Sequence, residues 1–171
     1  MRLAAVLPLL LASFVISGCF FAPQVVVGPT VDERGNVGGM VRARVTFGTT
    51  YVNLMATGEA SGRQTSPHAL LATGVGLASH IDLPQDYALL LNIRMVAMTA
   101  VPWQHGASAF GGAVGLVRYL KTKDELATKS EWQGWAIGGE LACDRQFGLG
   151  SQDMVLSPGF IFEYVHIDAM N

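Results

Sequence analysis

From Val41 to Phe47 the chain alternates: Val41, Ala43, Val45 and Phe47 fall on one face, and Arg42, Arg44 and Thr46 on the other. Period two is the signature of a strand, because successive side chains of an extended chain leave opposite faces. The pattern returns along most of the chain. Leu71, Val75 and Leu77 alternate with Ala72, Gly74, Gly76 and Ala78, and Tyr87, Leu89, Leu91, Ile93 and Met95 oppose Asn92 and Arg94. Phe110, Val114 and Leu116 oppose Gly111, Ala113, Gly115 and Val117. Trp135, Ile137, Leu141 and Cys143 oppose Gly134, Ala136, Gly138, Glu140 and Asp144, and Phe160, Phe162 and Tyr164 oppose Ile161, Glu163 and Val165.

Between these runs lie breaks. Residues 32–36 and 82–86 read as polar turns, and residues 58–68, 101–108 and 145–153 as loops. Gly48-Thr49-Thr50 marks a turn or a bulge, so residues 37–57 are either one long bent strand or two strands. Residues 121–131 carry most of the local charge; Thr122 and Glu125 have capping-box spacing, which suits a short helical turn or a solvated loop. The sum is an all-β antiparallel meander of about seven or eight strands. Glycine within so many strands suits the tight curvature of a small closed barrel, which also removes exposed edges.

The first residues differ. Arg2 precedes an uncharged run of 14 residues, Leu3 to Ile16, which reads as a signal segment and is short of the roughly 20 apolar residues a membrane-spanning helix needs. It ends in Ile16-Ser17-Gly18-Cys19, which resembles the lipobox of bacterial lipoproteins, with Ile where Leu is usual. The resemblance implies cleavage before Cys19, a diacylglycerol thioether and an amide-linked acyl chain such as palmitate on that residue, and, with Phe20 following it, sorting to the outer membrane. The alternative is an ordinary secretory leader that leaves Cys19 unmodified. Phe20 to Thr30, with two prolines and a Val25-Val26-Val27 run, reads as a tether or a short edge strand, the tether being preferred. The expected organisation is a signal peptide over residues 1–18, a lipidated tether over 19–36 and one β-barrel-like domain over 37–171.

Composition narrows the function. Removing residues 1–18 from 171 leaves 153, enough for one domain. These carry 13 acidic and 10 basic residues, so no basic field exists for nucleic acid. Charged residues make up 14% of the chain, against about 25% in ordinary globular domains, which implies either a large dry core or a surface facing lipid. Cys143 is the one thiol besides Cys19; it reads as a small buried hydrophobe, with Arg145 two residues on as weak support for reactivity.

Motifs for chemistry are absent: there is no Gly-x-Ser-x-Gly elbow, no His-Glu-x-x-His, no phosphate loop and no paired-Cys spacing. His166 and Asp168 share a strand face, but two ligands do not make a metal site, so no metal or cofactor is expected. Arg42, Arg44, Arg94, Glu140 and Glu163 interrupt apolar or small-residue strands. They form either a paired network inside the barrel or separate side chains pointing into water from a half-exposed sheet. Tyr51, Trp103, Tyr119, Trp132 and Trp135 near strand ends suit an aromatic girdle or interior packing.

Residues 156–165, with Ser157-Pro158-Gly159 leading into alternating aromatics, resemble a strand of small bacterial outer-membrane β-barrel proteins. The last residues, Ala169-Met170-Asn171, differ from the terminal aromatic of such barrels. The expected function is a non-catalytic structural or binding role for a lipoprotein anchored at Cys19 to the outer membrane, with that membrane as its first partner. The alternative is a periplasm-facing soluble barrel or sandwich that binds a small apolar ligand or an envelope protein.

Overall fold

Each alternating segment becomes a strand in the computed structural model, which describes residues 20–48, 52–63, 69–101, 106–120, 131–148 and 153–168. The elements in order are β1 (Phe20–Asp32), β2 (Val37–Gly48), β3 (Asn53–Arg63), β4 (Ala69–Leu83), β5 (Tyr87–Val101), β6 (Gly106–Tyr119), β7 (Glu131–Gly148) and β8 (Met154–Asp168). Every strand pairs antiparallel with its sequence neighbours, and β8 pairs with β1 to close the barrel. Crossing hydrogen-bonded neighbours from Phe21 through Phe47, Leu54, Leu77, Ile93, Gly112, Cys143 and Leu156 returns to β1 at Val31, ten residues further on. That stagger inclines the strands to the barrel axis. One end, the N-terminal rim, holds the start of β1, the end of β8 and the β2–β3, β4–β5 and β6–β7 connections. The other four connections form the far rim.

The expected tether is instead a wall. Residues 20–32 form β1, paired with β2 from Phe20 to Val31. The two prolines had suggested a linker because proline donates no backbone hydrogen bond. Here the register with β8 skips Ala22-Pro23 and Gly28 to Thr30, so the prolines sit where the ladder is interrupted. Without β1, both β2 and β8 would be open edges. Residues 37–57 resolve into two strands, β2 and β3. β3 runs to Arg63 and β7 to Gly148, each beyond the loop start read from the sequence. In β3 the alternation continues with small outward residues, Ala60 and Gly62, opposed by Glu59 and Ser61, so it is easily missed.

Burial is inverted relative to a water-soluble barrel. Outward positions carry Val25, Val41, Leu71, Ile93, Val114, Leu141 and Phe160, all substantially exposed. Inward positions include Arg42, Arg44, Asn53, Arg94 and Glu163, none more than 2% exposed. The lumen is layered. An apolar group of Phe20, Ala22, Ala88, Leu90, Val117, Tyr119, Ala136, Ile161 and Val165 packs together on one side. Ala72, Val96, Met98 and Ala109 pack together elsewhere, and charged residues occupy the strands between. The interior is tight enough that a Cβ on Gly111 would overlap the Asp144 side chain and the Cys143 carbonyl, so glycine there makes room for a charged residue.

Candidate functional site

The lumen is where the chain concentrates its chemistry. Positions 42 and 44 point inward because they share the parity of Met40 and Thr46 on β2; Arg94 follows Asn92 on β5, and Glu140 and Asp144 lie four apart on the inward face of β7. The barrel is narrow enough for long side chains to meet across it. Arg42 Nε donates to Glu59 Oε2 at 2.7 Å, its Nη1 to Glu140 Oε1 at 3.0 Å and its Nη2 to Asp144 Oδ2 at 3.4 Å. Arg44 Nη2 donates to Glu140 Oε2. Arg94 Nη2 donates to Asp144 Oδ2 at 2.5 Å and its Nη1 to Asn92 Oδ1 at 3.1 Å. Three guanidiniums thus meet three carboxylates in one connected cluster joining β2, β3, β5 and β7.

Of the five charges singled out in the sequence, Arg42, Arg44, Arg94 and Glu140 are brought together here. Glu163 is inside but belongs to a second group. Its Oε1 accepts from Gln24 Nε2 at 2.5 Å and lies 3.8 Å from His80 Nδ1. His80 Nε2 and the Tyr119 hydroxyl share a 2.5 Å hydrogen bond, and Tyr119 also donates to Asp82 Oδ1 at 3.3 Å. Phe20 meets the His80 ring edge-on, with centroids 5.1 Å apart.

Sequence reasoning overlooked Glu59, Gln24 and Asp144 as network members. Glu59 fell in a segment read as loop, and Gln24 in one read as tether. Asp144 was legible, since it shares the face of Glu140. Tyr119, placed among the girdle aromatics, points into the lumen. Trp135 does face outward and packs edge-on against Tyr164, with centroids 5.1 Å apart, while Tyr164 Oη donates to Gln133 Oε1 at 2.7 Å. Tyr51, Trp103 and the Trp132 side chain lie outside the described residues, as do Ile16, Ser17, Gly18 and Cys19 and the charged segment around Thr122 and Glu125. Cys143 is half-buried on the outward face, beside Leu141 and Leu156, because its odd position on β7 points away from the lumen. Among the described residues no three His, Cys, Asp or Glu side chains are grouped to hold a metal ion.

The arrangement is electrostatically a lock: each cation in the main cluster touches a carboxylate, and oppositely charged groups on four strands hold one another in register. The interior cavity beside Gln24, Arg44, Thr46 and His80 measures about 10 Å³. A single water needs about that much probe-occupied space, so this part of the lumen has room for one water at most and for no larger ligand.

No family model matches the chain, and no curated protein matches it in sequence. Among solved structures it is similar to Neisserial surface protein A, with a TM-score of 0.60 and 8% identity over 85% of this chain and 95% of that one. It also aligns to the β domain of the Bordetella autotransporter BrkA, with a TM-score of 0.36 and 8% identity over 90% of this chain and 100% of that one. The first likeness shows a fold of the small outer-membrane β-barrel type.

Proposed function

We propose that this chain is an integral outer-membrane β-barrel lipoprotein, additionally anchored by acyl chains on Cys19, with a structural or binding role and no catalysis. The observation that carries the reading is the inversion of the barrel: its outward face is predominantly apolar between Arg118 near one rim and Arg145 near the other, while most of its strand charges are paired inside. In water such a face would expose far more than the few hundred Å² of contiguous apolar surface that soluble monomers tolerate. In a bilayer it is the required surface, and closure satisfies the backbone hydrogen bonds. Strands of 11 to 18 residues are long enough, since a tilted membrane strand needs about 9–11.

Carriage of a small apolar ligand, one form of the soluble alternative, calls for an interior cavity of about 300 Å³ or more. The ion-paired lumen speaks against that form. Against a soluble barrel that binds an envelope protein, it is the apolar outward face that supports the membrane reading. Lipidation rests on the sequence resemblance at residues 16–19, and with β1 beginning at Phe20 a lipidated Cys19 has no spacer between anchor and wall.

The decisive experiment replaces Cys19 with Ala behind a cleavable leader. The integral barrel stays in the outer membrane without its acyl chains; release as a folded, soluble periplasmic protein overturns the proposal. Labelling of the wild-type chain with a radioactive fatty acid tests the anchor separately, and an unlabelled chain removes that part alone.

A further inference from the structure

Among the described residues, the charged side chains on the outward faces of strands are Arg118, at the N-terminal rim end of β6, and Arg145, near the far rim on β7. Each guanidinium lies over an aromatic ring, Arg118 5.8 Å from the Tyr87 centroid and Arg145 5.7 Å from that of Phe147. The register partner of Arg118 on β7 is Ile137, eight residues before Arg145. At about 3.3 Å per residue and a tilt of about 40°, the two arginines stand about 20 Å apart along the axis, close to the roughly 25 Å apolar band of such barrels. They lie at the depths where headgroups begin.

Arg118 has a second neighbour. Its next outward residue on β6 is Leu116, paired across to Leu89, just as Arg118 is paired to Tyr87. Leu89 and Leu116 open an outer groove of about 580 Å³ that continues past Val114, Leu141, Pro158 and Phe160. The groove exists because Gly139 faces outward between Leu116 and Phe160 without a side chain. A Cβ there would meet nothing nearer than the Gly159 carbonyl at 3.8 Å, so neither crowding nor a positive φ demands glycine. Among the described residues no carboxylate forms an ion pair with Arg118, so its charge is available at the head of an apolar trough.

We infer that Arg118, Tyr87 and the groove across Gly139 form a binding site for one anionic phospholipid, with its phosphate on the guanidinium and an acyl chain along the trough. The charge and the groove select the same occupant, because a phospholipid carries an anion at the head of an apolar chain. The inference rests on the membrane reading given above. It makes the lipid a resident of the N-terminal rim, distinct from the ordinary annulus.

The test is native mass spectrometry of the purified mature chain in detergent, titrated with phosphatidylglycerol or with diacylglycerol of the same chains. Wild type retains one phosphatidylglycerol and much less diacylglycerol. Arg118→Ala and Gly139→Leu each weaken retention about tenfold or more, the loss of one charge-assisted contact or of the trough. Arg145→Ala, at the other rim, leaves it unchanged. Equal retention by all four proteins, or equal binding of diacylglycerol, overturns the site. Should Gly139→Leu not fold, as read by gel mobility before and after boiling, Leu116→Ala replaces it. If the mature chain is already a folded monomer in buffer without detergent, the membrane reading itself fails, and that result is obtained before lipid is added.

Discussion

Replacing Glu140 with Ala should expose how much the lumen depends on its charges being matched. Glu140 accepts from Arg42 at 3.0 Å and from Arg44, with its own side chain fully buried and both guanidiniums at most 1% exposed. At about 3 Å and an effective dielectric of about 20, one such pair has about 5 kcal/mol of Coulomb attraction before desolvation is counted. The two arginines are left differently. Arg42 keeps Glu59 at 2.7 Å and Asp144 at 3.4 Å, whereas Arg44 loses the carboxylate it contacts. An uncompensated buried guanidinium makes removal of one partner cost about 3–5 kcal/mol. Pairing Glu140→Leu with Arg44→Met removes both charges and should cost at least about 2 kcal/mol less than the two single substitutions added together. Equilibrium urea unfolding in phospholipid vesicles, followed by tryptophan fluorescence, measures both quantities. A cost below about 1 kcal/mol for Glu140→Ala, or simple additivity in the cycle, would refute the lock.

Val114→Arg places a charge on the outward face of β6 midway between Phe110 and Arg118; in vesicles it should lose about 2–4 kcal/mol, and a neutral effect would contradict a lipid-facing surface. Gly111→Val forces a side chain into Asp144 and the Cys143 carbonyl, so it should cost about 3 kcal/mol or more, or prevent folding; native-like stability in the same urea assay would show that the lumen has slack. With an interior cavity of about 10 Å³ beside Arg44 and His80, the wild-type barrel should pass no steady ionic current in planar bilayers, and a sustained open conductance would show that the lumen is not closed.

How much of this was legible depends on which residues carry the pattern. Runs such as Val41 to Phe47 and Tyr87 to Met95 announce strands by themselves, because apolar residues recur at every second position and Arg42, Arg44, Thr46, Asn92 and Arg94 fall between them. β1 was obscured by Pro23 and Pro29, whose missing donors are harmless only where the ladder with β8 is interrupted, a fact of pairing and not of composition. Glu59 was hidden because its outward neighbours, Gly58 and Ala60, are too small to mark a face. Cys143 illustrates the same gap: it reads as a core residue until the sense of the alternation is known.

The amino-acid sequence by itself determined the all-β class, the antiparallel meander order and most of the charges set against apolar faces, since each follows from local period and turn chemistry. It left open which face is inside. Alternation is symmetric: a strand reading Val-Arg-Ala-Arg-Val serves equally as a wall with apolar residues in or out. Only closure of eight inclined strands resolves the symmetry, by bringing Arg42, Arg44 and Arg94 within reach of Glu59, Glu140 and Asp144 and leaving residues such as Val41, Val45, Phe47, Leu91, Ile93 and Phe160 on the outer surface. The physical reason is that an unpaired buried charge is prohibitive, and its partners lie on strands far apart in sequence.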